Sequence, residues 1–163
     1  MSALLRTSVA RAALRATPAS RRSLVTLKER LYEVEGIADS AGRNGTVTSP
    51  QSKSLTLKMS TPKSLGGAED AHNPEQLFAM GYAACFSGAL NLVAGQQGKK
   101  DAVKNAKIHV TVALGKRADA EGFGLEADIK VTGVEDKSLV EKAHEVCPYS
   151  VLMRETCKST LHL

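Results

Sequence analysis

From Leu77 to Ala94 the chain runs for 18 residues without a single charged side chain. The run has a marked beginning. Asn73 suits an N-cap, Pro74 suits the first helical position, and Glu75 places an acid at the positive end of the helix dipole. Gly95 and Gly98 mark its end, which predicts a helix of about 20 residues, roughly 30 Å long. Apolar or small residues occupy every face, so the pattern predicts burial all round. The length also meets the threshold for a membrane span. Against that reading, much of the run is Gly or Ala, Tyr82, Ser87 and Asn91 add polar groups, and the flanks lack an aromatic belt. The expectation is therefore a core helix with no stable membrane insertion. Its small residues, Gly81, Ala83, Ala84, Ser87, Gly88 and Ala89, suit close approach by another backbone.

The N-terminus has a different character. Residues 1–28 hold five arginines and Lys28, with Ser and Thr between them, and the first carboxylate is Glu29. That composition, with Leu4, Leu5, Val9, Ala12 and Ala13 able to share a helical face, predicts a mitochondrial transit peptide over residues 1–22 and a matrix location. Cleavage is expected near Ser23 or Leu24. A disordered basic arm binding nucleic acid is the competing reading. The whole chain has 22 basic and 17 acidic residues; without the five arginines of residues 1–22 the balance is 17 against 17. A neutral folded domain has no charge surplus for phosphate, so no nucleic-acid partner is expected. The remaining residues suffice for one domain with its own core.

Along the mature chain, Leu31 to Ala38 is expected to be a strand, and Asn44-Gly45 is a hairpin signal before a return strand at Thr46-Val47-Thr48. That puts Arg43 at a hairpin tip or bulge. Ser54 to Met59 alternates, with Leu55, Leu57 and Met59 expected to face the core. Lys107–Leu114 and Leu125–Val131 read as an antiparallel pair. Ser138–Val146 reads as an amphipathic helix that Pro148 breaks, leaving Cys147 at a defined helix end. Ser159–Leu163 is expected to be a last strand. The fold class is α+β.

Three cysteines at wide spacing make no disulfide framework, and the four histidines stand far apart, so no zinc site is expected. Taken singly, Cys85 reads as a small hydrophobe, Arg43 as a solvated turn residue and Glu75 as a helix N-terminal acid. Their combination is more specific. Gly42-Arg43-Asn44-Gly45, the segment Asn73 to Phe86, and Ala143-His144-Glu145-Val146-Cys147-Pro148-Tyr149-Ser150 closely resemble the organic hydroperoxide resistance (Ohr) branch of the Ohr/OsmC family. The Leu65-Gly66-Gly67 approach matches as well, and the likeness covers residues 31–163. The transit-like extension and Cys157 lie outside the family's pattern, and Val151-Leu152-Met153 is more apolar than that pattern leads one to expect.

The resemblance implies antiparallel sheets around a long buried central helix in an intertwined homodimer. It implies a peroxidatic Cys85, a resolving Cys147, an activating Arg43 and an orienting Glu75. It further implies reduction of organic hydroperoxides with no bound cofactor, the reductant being dihydrolipoamide or a lipoylated protein served by lipoamide dehydrogenase. Physics states what the four residues would do. A free thiol of pKa ~8.5 is only a few per cent ionised near neutrality, so a cation beside the sulfur is needed, and a carboxylate can aim that cation bidentately. Ten residues of straight helix separate Glu75 and Cys85 by about 15 Å and ~80°, so clustering of Arg43, Glu75 and Cys85 calls for a second subunit. Phe78, Met80 and Phe86 are expected to line an apolar pocket that favours organic hydroperoxides over hydrogen peroxide. A peroxidase of the sister OsmC branch, or a non-enzymatic ligand carrier on the same fold, remain the alternatives.

Overall fold

The computed structural model describes residues 26–51, 53–156 and 159–162. The proposed transit segment 1–22 and Cys157 lie outside the described residues. The chain has the α+β fold expected for it, two sheets and a long central helix, α1, Pro74–Gln96. Helix α1 begins as its sequence dictates. The Asn73 side chain accepts a hydrogen bond from the Gln76 N–H at 2.8 Å, with Pro74 in the first turn. It passes through Gly95 and stops at Gln97, one residue before Gly98 takes a positive φ of 68°.

Strands β1 (Ile37–Ala38), β2 (Thr46–Ser49) and β3 (Leu55–Lys58) form an antiparallel sheet. The first strand is two residues long rather than spanning Leu31–Ala38, because Leu31, Tyr32 and Val34 lie exposed with no partner strand among the described residues. A longer connection, laced by the Asp39 carboxylate accepting from the N–H groups of Ala41 and Thr46, replaces a two-residue Asn-Gly turn. The face of β3 is also only partly covered: Met59 is buried, but Leu55 is 55% exposed.

In the second sheet β4 (Lys107–Lys116) pairs antiparallel with β5 (Phe123–Thr132) along ten residues. Strand β6 (Ser159–His162) joins β5 in parallel, an orientation that alternation cannot reveal. Ala127, Ile129 and Val131 point inward and are buried, while Glu126, Asp128 and Lys130 point outward. Helix α1 packs on this sheet and against α2, Lys137–Val146, which contributes Leu139, Val140 and Ala143 to the core. Pro148 does break α2, and it also starts another helix, α3, Pro148–Thr156. Proline suits the first helical position, where no N–H is needed.

Burial of α1 on all sides does not hold within one chain. Tyr82, Phe86, Ala89, Leu90, Val93 and Ala94 are buried, whereas Met80 and Leu92 are 63% and 56% exposed and Ala84, Gly88 and Asn91 lie open on that side. The sheet and α2 cover one side of the helix, and among the described residues nothing covers the other. By length and composition α1 could cross a membrane, yet six of its residues sit in the hydrophobic core.

Leu139, fully buried, fixes α2 and hence Cys147 at its end. Leu139→Ala is expected to lower unfolding stability by about 2–5 kcal/mol. Urea denaturation followed by circular dichroism measures this.

Candidate active site

The four residues singled out in the sequence fall into two pairs. Arg43 lies in a 3-10 turn, Gly42–Asn44, entered through a left-handed Gly42 with φ 57°. The Asn44 side-chain oxygen accepts from the Thr61 N–H at 3.0 Å, and Asp39 braces the other side of the turn. From there the guanidinium meets Glu75 bidentately: Nη2 to Oε1 at 2.6 Å and Nη1 to Oε2 at 2.9 Å. Glu75 is in the first turn of α1, so the contact ties the β1–β2 connection to the start of the central helix. The hydrogen bonds from Arg43 hold the Glu75 carboxyl below its usual range, and those bonds in turn raise the arginine.

The second pair is the cysteines. Cys147 caps the break between α2 and α3, and its Sγ donates to Cys85 Sγ at 3.5 Å. Both are free thiols; Cys147 is fully buried and Cys85 half-buried. Burial pushes the Cys85 thiol up from its ordinary value; the Tyr149 backbone N–H pulls it down, and Cys147 beside it adds to the rise. The structure thus joins Arg43 to Glu75 and Cys85 to Cys147, and it leaves the two pairs at separate points along α1.

The aromatic residues divide in a way the sequence did not disclose. Phe86 is fully buried and faces His144, with ring centres 6.3 Å apart, and Met80 lies on the exposed side of α1, so neither lines a pocket with Phe78. Phe78 stacks on Tyr149 at 5.7 Å, and the Tyr82 hydroxyl donates to Ser150 Oγ at 3.0 Å in a fully buried bond. A cleft of about 330 Å³ opens instead beside Glu75, walled by Pro62, Leu65, Ala79 and Leu114. Sequence reading missed Asp39, Asn44, Tyr82, Ser150 and the Tyr149 amide. Asp39 and Asn44, polar residues close to glycines, carried the only available signal.

Residues 66–162 match the family model for OsmC-like proteins. The chain is 43% identical over 137 residues to the organic hydroperoxide resistance protein of Xanthomonas axonopodis pv. citri, a match covering 82% of this chain and 94% of that protein. Among solved structures it is similar to an organic hydroperoxide resistance protein of Legionella pneumophila, with 37% identity and a TM-score of 0.70 over 82% of this chain and 97% of that one. It is similar also to OhrB of Bacillus subtilis, an organic hydroperoxide resistance protein, with 34% identity and a TM-score of 0.68 over 82% and 99% of the two chains.

Because the Glu75 carboxyl titrates lower in the folded chain than in the unfolded one, its pairing stabilises the fold above about pH 4.3, the ordinary glutamate value. That contribution is lost as pH falls through the lower, folded value. Arg43 is partly open to water, so the loss is expected to be about 1 kcal/mol or less. Comparing urea midpoints of the native protein and Glu75→Gln from pH 7 to pH 3 checks this: the gap between them should narrow with acid.

Proposed function

We propose that the chain, which belongs to the Ohr/OsmC family and has organic hydroperoxide resistance proteins as homologues, is a thiol peroxidase that reduces organic hydroperoxides to alcohols. The observation that carries this reading is the half-buried Cys85 sulfur held 3.5 Å from the buried Cys147 sulfur. In the proposed cycle the Cys85 thiolate attacks the terminal peroxide oxygen. The O–O bond breaks, the alkoxide leaves and takes a proton to become the alcohol, and Cys85 becomes a sulfenic acid. The Cys147 sulfur then attacks the Cys85 sulfur. The S–O bond breaks, the hydroxyl leaves as water with the Cys147 proton, and a Cys85–Cys147 disulfide forms. Closing from 3.5 Å to a disulfide bond of about 2.05 Å calls for only a small approach of α3 to α1.

Among the described residues burial raises the Cys85 thiol, and the Arg43–Glu75 pair stands ten residues away at the first turn of α1. The proposal therefore includes a homodimer in which a second copy brings its Arg43–Glu75 pair to Cys85. The uncovered side of α1, with Met80 and Leu92, and the exposed Leu55 and Ile37 of the first sheet supply apolar area for such a partner. A guanidinium so placed would lower the thiol pKa; two units correspond to about 2.7 kcal/mol of thiolate stabilisation. The preference for organic hydroperoxides over hydrogen peroxide is proposed to rest on apolar area near the site, which hydrogen peroxide cannot use.

The reductant is proposed to be dihydrolipoamide or a lipoylated protein, regenerated by lipoamide dehydrogenase, which would reopen the disulfide through a mixed disulfide. A matrix location, directed by residues 1–22, suits that choice because large lipoylated dehydrogenase complexes reside there. A non-enzymatic ligand carrier is the second reading, and the raised Cys85 thiol of the single chain is what favours it.

Stopped-flow mixing of reduced protein with an alkyl hydroperoxide separates the two. The peroxidase consumes one equivalent rapidly and hydrogen peroxide far more slowly; a carrier consumes neither. Cys85→Ser should abolish consumption, and Cys147→Ser should permit one oxidation followed by over-oxidation of Cys85. Turnover should be sustained by dihydrolipoamide with lipoamide dehydrogenase and be much weaker with thioredoxin or glutathione. Equal turnover with all three would remove the lipoyl assignment.

A further inference from the structure

The sulfur pair has a companion contact between the same two elements. Three residues before Cys85, the Tyr82 hydroxyl donates to Ser150 Oγ at 3.0 Å, and Ser150 stands three residues beyond Cys147. The pairs Tyr82–Ser150 and Cys85–Cys147 advance in opposite directions along α1 and the start of α3, so the two helices meet antiparallel there. Three residues of helix place the hydroxyl bond about 4.5 Å of rise from the sulfurs.

Burial makes that bond binding on both partners. Tyr82, Ser150 and Cys147 are all fully buried. Sliding α3 along α1 would leave two hydroxyls unpaired and out of reach of water, so the register that makes the bond is the register that persists. The phenol itself has little slack. Its ring lies edge-on to Phe78 at 6.0 Å and tilted against Tyr149 at 5.7 Å, and Tyr149 in turn stacks on Phe78 at 5.7 Å. Phe78, Tyr82 and Cys85 follow one another at four- and three-residue spacing along one stripe of α1. Phe and Ala at positions 82 and 150 would fill nearly the same space with no polar group to satisfy, so what the hydroxyl pair adds is register rather than burial.

We propose that Tyr82 and Ser150 are positioning residues for disulfide closure: their hydrogen bond holds the start of α3 in the register that keeps Cys147 beside Cys85. The proposal rests on the reading of the two cysteines as a redox pair, and extends it to two residues that take no part in bond making. Closure brings the sulfurs from 3.5 Å to about 2.05 Å. A helix start tied one turn away reaches that length by a small rotation about the tie. An untied start spends part of its time with the sulfurs apart, and the equilibrium constant for closure falls in proportion to the fraction lost.

The test measures that equilibrium directly. Full-length protein carrying Cys157→Ser, in which Cys85 and Cys147 are the remaining cysteines, is equilibrated without oxygen in dithiothreitol redox buffers at pH 7. The two thiols give two electrons and two protons to the cyclic disulfide of dithiothreitol, which becomes the dithiol. Acid quenching, alkylation and mass spectrometry read the fraction cross-linked. Tyr82→Phe keeps the ring and loses the hydroxyl, and should lower the equilibrium constant for disulfide formation about fivefold, a potential about 20 mV less negative. Ser150→Ala should do the same. The double variant should fall no further than either single one, because all three lack the same bond.

Val131→Ala, a truncation in the buried face of β5, is the control for lost stability alone: it should melt at a lower temperature and keep the equilibrium constant within about twofold of the parent. Tyr82→Phe and Ser150→Ala proteins that melt lower but share the parent's equilibrium constant would overturn the proposal, as would losses that multiply in the double variant. Should Tyr82→Phe fail to fold, Ser150→Ala, which removes one oxygen, decides alone. No hydroperoxide enters this measurement, so an inert Cys85 in the stopped-flow experiment would defeat the peroxidase reading while the positioning role is judged by the dithiothreitol equilibrium.

Discussion

The contact between the Cys85 and Cys147 sulfurs joins residues 62 positions apart in the chain, and much of the fold can be understood as what holds them together. Cys85 is fixed by α1, whose core side, Tyr82, Phe86, Ala89, Leu90 and Val93, is pressed against the second sheet and α2. Cys147 is fixed by α2, anchored through Leu139, Val140 and Ala143, and by Pro148, which stops that helix at one residue and no other. Neither sulfur has freedom to wander, because each side of the contact is set by close-packed core. Chemistry between them then needs little motion.

Electrostatics divides the same helix into two stations. At its first turn an arginine and a carboxylate neutralise each other through two short hydrogen bonds. About ten residues further on, a thiol sits where burial opposes its ionisation. A straight helix keeps such stations about 15 Å apart whatever its side chains do. Among the described residues the aimed cation thus stands at the first turn of α1 and the thiol ten residues further along it. The uncovered side of α1 and the exposed apolar residues of the first sheet give the physical motive for a second copy to join them.

Features governed by local rules were legible in the sequence. The Asn73-Pro74 start of α1, the alternation of β4 and β5, and the helix end at Cys147 all followed from capping, pleat and proline geometry. Tertiary context hid the rest. Proline ends one helix and begins another by the same loss of an N–H, so α3 was invisible behind the break at Pro148. A helix made of small and apolar residues on every side does not say which side its own chain will cover, and the described residues cover one side of α1 and leave Met80 and Leu92 open on the other. Phe86 looked like pocket lining but is core, because the side of α1 that carries it turns to α2 and His144. The turn around Arg43 is held by hydrogen bonds that the Asp39 and Asn44 side-chain oxygens accept from backbone N–H groups, which leave no periodic trace. The Tyr149 amide, being backbone, leaves none at all.

The central claim is that Cys85 and Cys147 are a redox pair within one chain. Reduced protein treated with one equivalent of an alkyl hydroperoxide, quenched with an alkylating agent and digested under non-reducing conditions tests it by mass spectrometry. The account predicts a single Cys85–Cys147 cross-linked peptide in near-stoichiometric yield, two hydrogens lighter than the sum of its parts. Recovery of both cysteines alkylated, or a cross-link from Cys85 to Cys157 or between chains in its place, would contradict it.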